Sequence, residues 1–330
     1  MNADPSRASA SVSTLRDPRI VTVCVSGSTA DHIGQNARRL HAVHAVVQAI
    51  NERWENLDAV VLPGLFFRSG ATLGPLPFKD RIAVLRDSGL VDPLVKAAGA
   101  LSRSPGVLIV GGIGGPPYPG GGGDQLCVAW NADGVAGIGR KIFPVSAEAE
   151  QFVCFEDDYR AKERVVRLPS GRSAVLCACY DMFGVAERPD RRGVQAKTIR
   201  RICSHGDEVD QNSGASFREL REKCHAEWDG LLTVNQVSVG LGVIHGFRQN
   251  STAYWQKHGV ATCSASLGGF AVGAAHFNSK LPSSGRRSPL AARNVPLRHL
   301  TAGSNRASHH WPTQDAFYFS GNEMIVRLYA

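Results

Sequence analysis

The chain has 330 residues, of which 43% are hydrophobic and 20% charged, the composition of a globular protein with a substantial core. No segment reaches the roughly 18 unbroken apolar residues of a membrane-spanning helix, so a membrane protein is not expected. The eight cysteines include no C-x-x-C pair, which argues against a disulfide framework or a zinc knuckle and favours a cytoplasmic location.

The net charge of +8 is concentrated in one quarter of the chain. Between residues 230 and 314 there is no Asp or Glu but there are eight basic residues; removing these from the total of 37 leaves 29, equal to the 29 acidic residues. Basic segments are typical of nucleic-acid binding. Because no aromatic interleaving or known binding module accompanies this one, nucleic acid is not the expected partner.

The first part of the chain alternates strand and helix patterns. Residues 1–17 are rich in Ser, Ala and Arg without an apolar stretch, which predicts a disordered tail. A β-branched run over 20–25 predicts a strand, and apolar residues at helical spacing predict an amphipathic helix over 36–54. A second buried strand over 59–62 ends at Pro63-Gly64.

A hairpin is expected in the middle of the chain. A helix over 91–101 and a strand over 107–110 precede a glycine-rich segment through Gly123, which we interpret as a flexible loop near the mouth of a site. It lacks the Lys-Ser/Thr ending of a phosphate-binding P-loop. Two strand patterns flank Asp-Gly within residues 126–141 and predict a β-hairpin. An all-parallel sheet is therefore not expected.

The second half is predicted less completely. Residues 174–180 form another buried strand pattern, 217–228 a helix and 230–235 the strand after it. Alternating strands and helices indicate an α/β sandwich. Two segments stand apart, a charged insertion over 186–223 and an irregular basic segment over 280–312.

Lys141 and Cys179 fall at the carboxyl ends of predicted strands, where loops of α/β sheets converge on a crevice. A thiol becomes a nucleophile when a nearby ammonium stabilises the thiolate or a base removes its proton. The same ammonium can stabilise an oxyanion. The pair therefore suits acyl transfer from a carbon–nitrogen bond through a thioester.

The chain resembles the nitrilase superfamily of carbon–nitrogen hydrolases. The resemblance runs through LDAVVLPGLFF, DQLCVAWNADGVAGIGRKIFPVSAE and GRSAVLCACYDMFG and covers roughly residues 20–275. The lysine segment carries a proline three residues and a glutamate seven residues after the lysine. The resemblance implies a four-layer αββα sandwich, one hydrolase-like domain over 18–330, a homodimer or higher homo-oligomer, and no cofactor or metal.

The resemblance also implies roles for individual residues. Cys179 matches the nucleophile, Lys141 the catalytic lysine and Glu148 an additional positioning glutamate. The general-base glutamate of the family falls at Gly64, so this base is missing. Tyr180-Asp181, directly after the cysteine, favours a small-molecule amide or carbamoyl substrate over a nitrile. The expected function is hydrolysis of such a substrate, and the alternative is an inactive nitrilase-fold protein that binds a ligand or partner.

Structural interpretations remain open for several of these residues. Cys179 could be a buried structural cysteine, as free cysteines often are, and Cys177 is better interpreted as core. Glu148 could be a solvated surface residue. Six of the eleven histidines follow Gly230, but none has metal-ligand spacing, so core or surface histidines are expected.

Overall fold

The computed structural model describes residues 15–27, 29–119, 121–143, 153–185, 203–204, 207–208, 214–246, 255–277, 291–293, 307–310 and 324–329. Glu148 lies outside these ranges, as do residues 1–14 and most of the two segments set apart above, 186–223 and 280–312.

The structure contains strands throughout its described length. In chain order they are β1 (Ile20–Ser26), β2 (Ala59–Val61), β3 (Phe67–Arg68), β4 (Leu108–Pro117), β5 (Gly123–Asn131), β6 (Gly134–Arg140), β7 (Val165–Arg167), β8 (Ser173–Ala178), β9 (Cys203–Ser204), β10 (Asp207–Glu208), β11 (Val237–Ile244), β12 (Phe270–Phe277), β13 (Ala291–Arg293), β14 (Ala307–His310) and β15 (Met324–Tyr329). The α-helices are α1 (Asn36–Arg53), α2 (Phe78–Asp87), α3 (Val91–Gly99), α4 (Asp181–Gly184), α5 (Gly214–Val234) and α6 (Ala261–Leu267).

Two mixed sheets form the centre of the fold. The strand order is β6-β5-β4-β2-β1-β12-β11-β8-β7, with β15 and β13 pairing to β1 and β12 respectively. The central strands of each sheet run parallel, whereas the hairpin β5–β6 and strand β7 are antiparallel. The two sheets join where Val25 of β1 pairs with His276 of β12. The predicted hairpin is confirmed, and the sheets are not all-parallel.

The core divides into layers that define the architecture. One apolar cluster packs α1 and α3 on the first sheet, as at Val47 and Leu94. A second cluster lies between the two sheets and includes Val61 and Leu241. A third packs α4, α5 and α6 on the second sheet, as at Trp228. These layers are the expected four-layer αββα sandwich.

Glycines allow the hairpin to lie directly on the second sheet. A Cβ at Gly139 of β6 would come within 2.8 Å of the Leu176 carbonyl oxygen, and one at Gly137 within 3.1 Å of the Leu176 side chain. These contacts fix the end of β6, and therefore the start of the loop after Arg140, against β8.

Two sequence predictions were wrong. Residues 230–235 belong almost entirely to α5, where Leu231 and Leu232 lie in the core and a Cβ at Gly230 would meet nothing within 4 Å. The following strand is β11, which begins at Val237. The glycine-rich segment is not a flexible loop, because β4 extends to Pro117 and β5 begins at Gly123.

The two segments set apart contain regular structure where they are described. The helix α5 begins at Gly214, and the short strands β13 and β14 pair with β12 and β15. At the amino terminus, Arg16 donates to the Asn56 carbonyl at 2.9 Å and pairs with Asp58. Within the described ranges, no helix combines the length and apolar character that a bilayer crossing needs.

Candidate active site

Cys179 lies in a sharp turn between β8 and α4. Its backbone is left-handed, with φ of +55°, a conformation that non-glycine residues rarely adopt and that occurs often at functional turns. Its N–H donates to the Val243 carbonyl of β11 at 2.8 Å, and the residue is 4% exposed. This strand–turn–helix geometry fixes the thiol at the carboxyl end of the second sheet, as in a nucleophile elbow.

Lys141 directly follows β6 and is fully buried. Its N–H donates to the Gln125 carbonyl at 2.8 Å, which continues the hairpin by one residue. Its Nζ lies 5.8 Å from the ring centroid of Tyr180, the residue after Cys179. The lysine therefore reaches the cysteine turn from the first sheet.

Arg140 has a different role from its neighbour. Its guanidinium pairs with Asp124 and, at 2.9 Å, with Asp158, and it donates to the Gly74 carbonyl at 2.6 Å. These contacts hold the end of β6. Of the two consecutive cations Arg140 and Lys141, it is therefore Lys141 that faces the cysteine turn.

Asp181 connects the lysine loop to the cysteine turn. Its carboxylate accepts the N–H groups of Ile142 at 2.9 Å, Phe143 at 3.0 Å and Ala178 at 3.2 Å. The carboxylate also pairs with Arg164, at 3.8 Å. Burial raises the pKa of Asp181, while Arg164, these amides of 142–143 and Lys141 oppose the rise. One buried carboxylate thus sets the position of residues on both sides of the site.

Gly64 lies at the same site and is held by the same strand. Its N–H donates to the Ile244 carbonyl at 3.0 Å, next to the Val243 carbonyl that holds Cys179. A Cβ at Gly64 would lie 2.8 Å from the Val243 oxygen and 2.4 Å from Cδ2 of His245. No side chain fits at residue 64 without a shift of this backbone, so the local packing excludes a glutamate there.

His245 lies against Gly64 and contacts Gln125, and neither residue is among those that the sequence predicts for the site. The Gln125 side-chain nitrogen contacts the ring nitrogens of His245, which is partly buried. The signal that could have found His245 is its place directly after the apolar run 237–244. The sequence pattern predicts the strand at 230–235 instead, so the run 237–244 has no predicted element.

Cys177 differs from its neighbour two residues along the chain. It is fully buried, and burial raises the pKa of its thiol well above the usual value, with Cys263 and Asp181 adding to the rise. Such a thiol stays protonated and inert. The interpretation of Cys177 as core is confirmed.

The structure places Gly64, Lys141 and Cys179 just after the ends of β2, β6 and β8, and the catalytic roles of Lys141 and Cys179 stay predictions. Glu148 lies outside the described residues, so its positioning role stays a prediction. Among the residues that the structure describes, no group of three His, Cys, Asp or Glu side chains is arranged to hold a metal ion.

No protein-family model and no curated protein matches the chain. Similar solved structures include an amidase from Nesterenkonia sp., with 14% identity, 80% of this chain and 77% of that chain covered, and a TM-score of 0.44. A mutant of Nesterenkonia AN1 amidase "from the nitrilase superfamily" has 13% identity, 80% and 78% coverage and a TM-score of 0.45. Because these sequence identities and TM-scores are low, the αββα fold is assigned from the layers observed in this chain and not from its structural neighbours.

Proposed function

We propose that this protein hydrolyses the carbon–nitrogen bond of a small amide or carbamoyl compound, with Cys179 as nucleophile and Lys141 as the stabilising cation. The observation that carries the proposal is the left-handed turn at Cys179, connected through Asp181 to the loop of a fully buried lysine. Strained backbone of this kind persists only where the surroundings enforce it, and it clusters at functional sites.

The electrostatics of the site suit a thiolate nucleophile. In a buried site an ammonium interacts with a developing negative charge far more strongly than in water. Lys141 can therefore favour the Cys179 thiolate and then the oxyanion of the tetrahedral intermediate. Cys177 has neither the turn geometry nor an ammonium among the groups that affect its thiol.

The proposed reaction has two steps, formation of a thioester and its hydrolysis. The Cys179 sulfur bonds to the carbonyl carbon, the carbon–nitrogen bond breaks, and ammonia or an amine leaves after it accepts a proton. Water then attacks the thioester, which releases a carboxylic acid and regenerates the thiol. Both steps require a group that transfers protons, a role for which Glu148 or water is the candidate from the sequence.

Ammonia release from a panel of small carboxamides and N-carbamoyl amino acids tests the proposal. We expect turnover by the wild type and its loss in Cys179→Ala. The matched control is Cys177→Ala, which removes a thiol from the same strand and should retain turnover if it folds. Equal turnover by Cys179→Ala and wild type, or no turnover of any panel member by wild type, would contradict the proposal.

The alternative is a protein of this fold that binds a ligand or partner without catalysis. It is favoured by Gly64, because the backbone around it excludes the family's glutamate. A thiol-reactive probe distinguishes the two functions. Labelling of Cys179 at neutral pH no faster than free cysteine supports the alternative, whereas faster labelling supports an activated nucleophile.

A further inference from the structure

We propose that Arg164 is a positioning residue of the proposed active site, where its guanidinium is the counter-ion of Asp181 and supplies a charge that this carboxylate would otherwise take from Lys141. The inference rests on the proposed function, since it assigns a residue that prepares the same nucleophile and cation. Arg164 lies outside the three sequence segments that resemble the nitrilase superfamily, and it is not among the residues that the sequence predicts for the site.

The Arg164 side chain is fully buried. It ends a short 3₁₀ helix, Lys162–Arg164, that directly precedes β7. This helix approaches β6 closely, since a Cβ at Gly139 would lie 3.2 Å from the Arg164 Cβ. The guanidinium lies over the Trp228 ring, with Cζ 4.9 Å from the ring centroid. A buried cation is costly unless an opposite charge and hydrogen-bond acceptors compensate it, so its partners define its role.

Two groups next to the proposed site compensate this cation. Arg164 Nη2 donates to the Arg140 carbonyl, which belongs to the peptide bond that leads into Lys141. Arg164 Nη1 lies 3.8 Å from Oδ2 of Asp181, and this carboxylate is also fully buried. The Arg140 carbonyl therefore orients the guanidinium, and Asp181 supplies the opposite charge.

The ion pair of Asp181 is formed with Arg164 and not with Lys141. Asp181 accepts three backbone N–H groups, and among the described residues Arg164 is the cation that pairs with it. The Lys141 Nζ lies instead 5.8 Å from the ring centroid of Tyr180, the residue after the cysteine. Burial raises the pKa of Asp181, and of the two cations that oppose this rise, Arg164 has the larger effect. The carboxylate is thus compensated more by Arg164 than by the lysine.

A buried carboxylate without this counter-ion would act against the proposed chemistry in two ways. Opposite charges attract strongly where water is excluded, so Asp181 would draw the Lys141 ammonium away from the cysteine turn. A negative charge also disfavours the thiolate form of a nearby thiol. Arg164 reduces both effects, because its charge opposes that of Asp181.

Two other buried thiols respond to this pair of charges. Cys127 lies on β5 and Cys177 on β8, and burial is the main cause that raises the pKa of each. Asp181 adds to both increases, whereas Arg164 reduces both. These thiols and the lysine are titratable groups that face Asp181 from β5, β8 and the end of β6. We expect Arg164 to shield Cys179, two residues before Asp181, in the same way.

Alkylation of Cys179 by iodoacetamide at pH 7 tests this role, with the labelled peptide quantified by mass spectrometry. Arg164→Gln removes the charge and keeps an amide that can donate to the Arg140 carbonyl. It should slow labelling about tenfold, the effect of one pKa unit on a thiolate fraction. Arg164→Lys keeps the charge and should label faster than Arg164→Gln. The matched control is Arg81→Gln, which removes another buried arginine, paired with Asp158 at 3.5 Å, and should not slow labelling.

Arg164→Gln in an Asp181→Asn background separates the counter-ion role from a merely structural one. If Arg164 acts through Asp181, the second change exposes no charge and should slow labelling by at most about twofold more. Breaking a buried ion pair costs more than replacing both partners, so the double variant should lose less stability in urea unfolding than the two single variants together. Where Arg164→Gln alone does not fold, recovery of the fold in the double variant supports the pair, and its absence counts against the inference.

Equal labelling by wild type and Arg164→Gln, no faster labelling by Arg164→Lys, or the same slowing by Arg164→Gln in both backgrounds would overturn the inference. Labelling requires no turnover, so the two proposals fail separately. Coupling between Arg164 and Asp181 without ammonia release by wild type would keep the counter-ion and reject the hydrolase. Ammonia release by wild type with independent effects of the two changes would keep the hydrolase and reject this role of Arg164.

Discussion

At the scale of single residues, the proposed site depends on a buried carboxylate as much as on the candidate nucleophile. Asp181 accepts the amides of Ile142 and Phe143 and that of Ala178, one residue before Cys179. The sequence segments predicted Cys179, but they could not predict this bridge, because its two sides are about 38 residues apart in sequence. Tertiary packing alone brings them together.

Asp181→Asn tests this bridge. It leaves Arg164 buried beside a neutral group, so we expect destabilisation of about 3–5 kcal/mol. Displacement of the lysine loop should also slow Cys179 alkylation, by about 10²-fold. The control is Asp58→Asn. It removes the charge of another buried carboxylate, which directly precedes β2 at the end away from Gly64, and it should lower stability without slowing alkylation. Equal alkylation rates in the two variants would argue against a positioning role for Asp181.

Gly64→Glu should not restore a conventional base. The added Cβ would meet the Val243 carbonyl and the His245 backbone nitrogen, neither of which can move without disturbing β11. We expect lower stability, by about 1–3 kcal/mol, and lower ammonia release than wild type. Urea unfolding and the ammonia assay measure both. Higher turnover by Gly64→Glu would contradict the steric exclusion of a side chain at residue 64.

At the scale of elements, the hairpin β5–β6 positions the lysine because its glycines permit contact with β8. Its alternating pattern and Asp-Gly turn could be predicted from sequence. The role of Gly139 could not, since the need for a missing side chain arises from Leu176 on the other sheet. The same limit explains the wrong strand at 230–235, where a short apolar run fits the end of a helix as well as a strand.

A pair of glycine substitutions tests the contact between hairpin and second sheet. Gly139→Ala places a Cβ 2.8 Å from the Leu176 oxygen, so we expect destabilisation of about 1–3 kcal/mol. Gly230→Ala adds the same methyl group to open space on α5 and should stabilise by about 0.5–1 kcal/mol. Both are measured by urea unfolding. Equal effects of the two changes would contradict the close packing of the sheets at β6.

At the scale of the whole molecule, the two sheets meet at β1 and β12, beside the site. The composition and the alternating pattern predicted the sandwich, but not this junction, where a buried histidine pairs with Val25. The homo-oligomer expected from the family resemblance stays a prediction. The junction instead suggests how acid would destabilise the fold.

Stability should fall as pH decreases below the normal pKa of histidine. Burial, followed by Arg39, lowers the pKa of His276 to about 3, so between that value and about 6.5 the unfolded chain binds a proton that the folded chain does not. His276 alone should then reduce the unfolding free energy by roughly 1.4 kcal/mol per pH unit in this window. His276→Phe should flatten the dependence by that amount in urea unfolding at pH 7, 6 and 5. An unaltered slope would contradict a buried neutral imidazole.

The proposed hydrolysis requires that Cys179 form an acyl intermediate with an amide or carbamoyl substrate. Intact-mass analysis after rapid acid quenching detects this intermediate, and digestion locates the modified peptide. We predict a mass increase equal to the substrate acyl group on the peptide that carries Cys179, present in Cys177→Ala and absent in Cys179→Ala. No adduct in wild type across the substrate panel, or an adduct that persists in Cys179→Ala, would contradict the account.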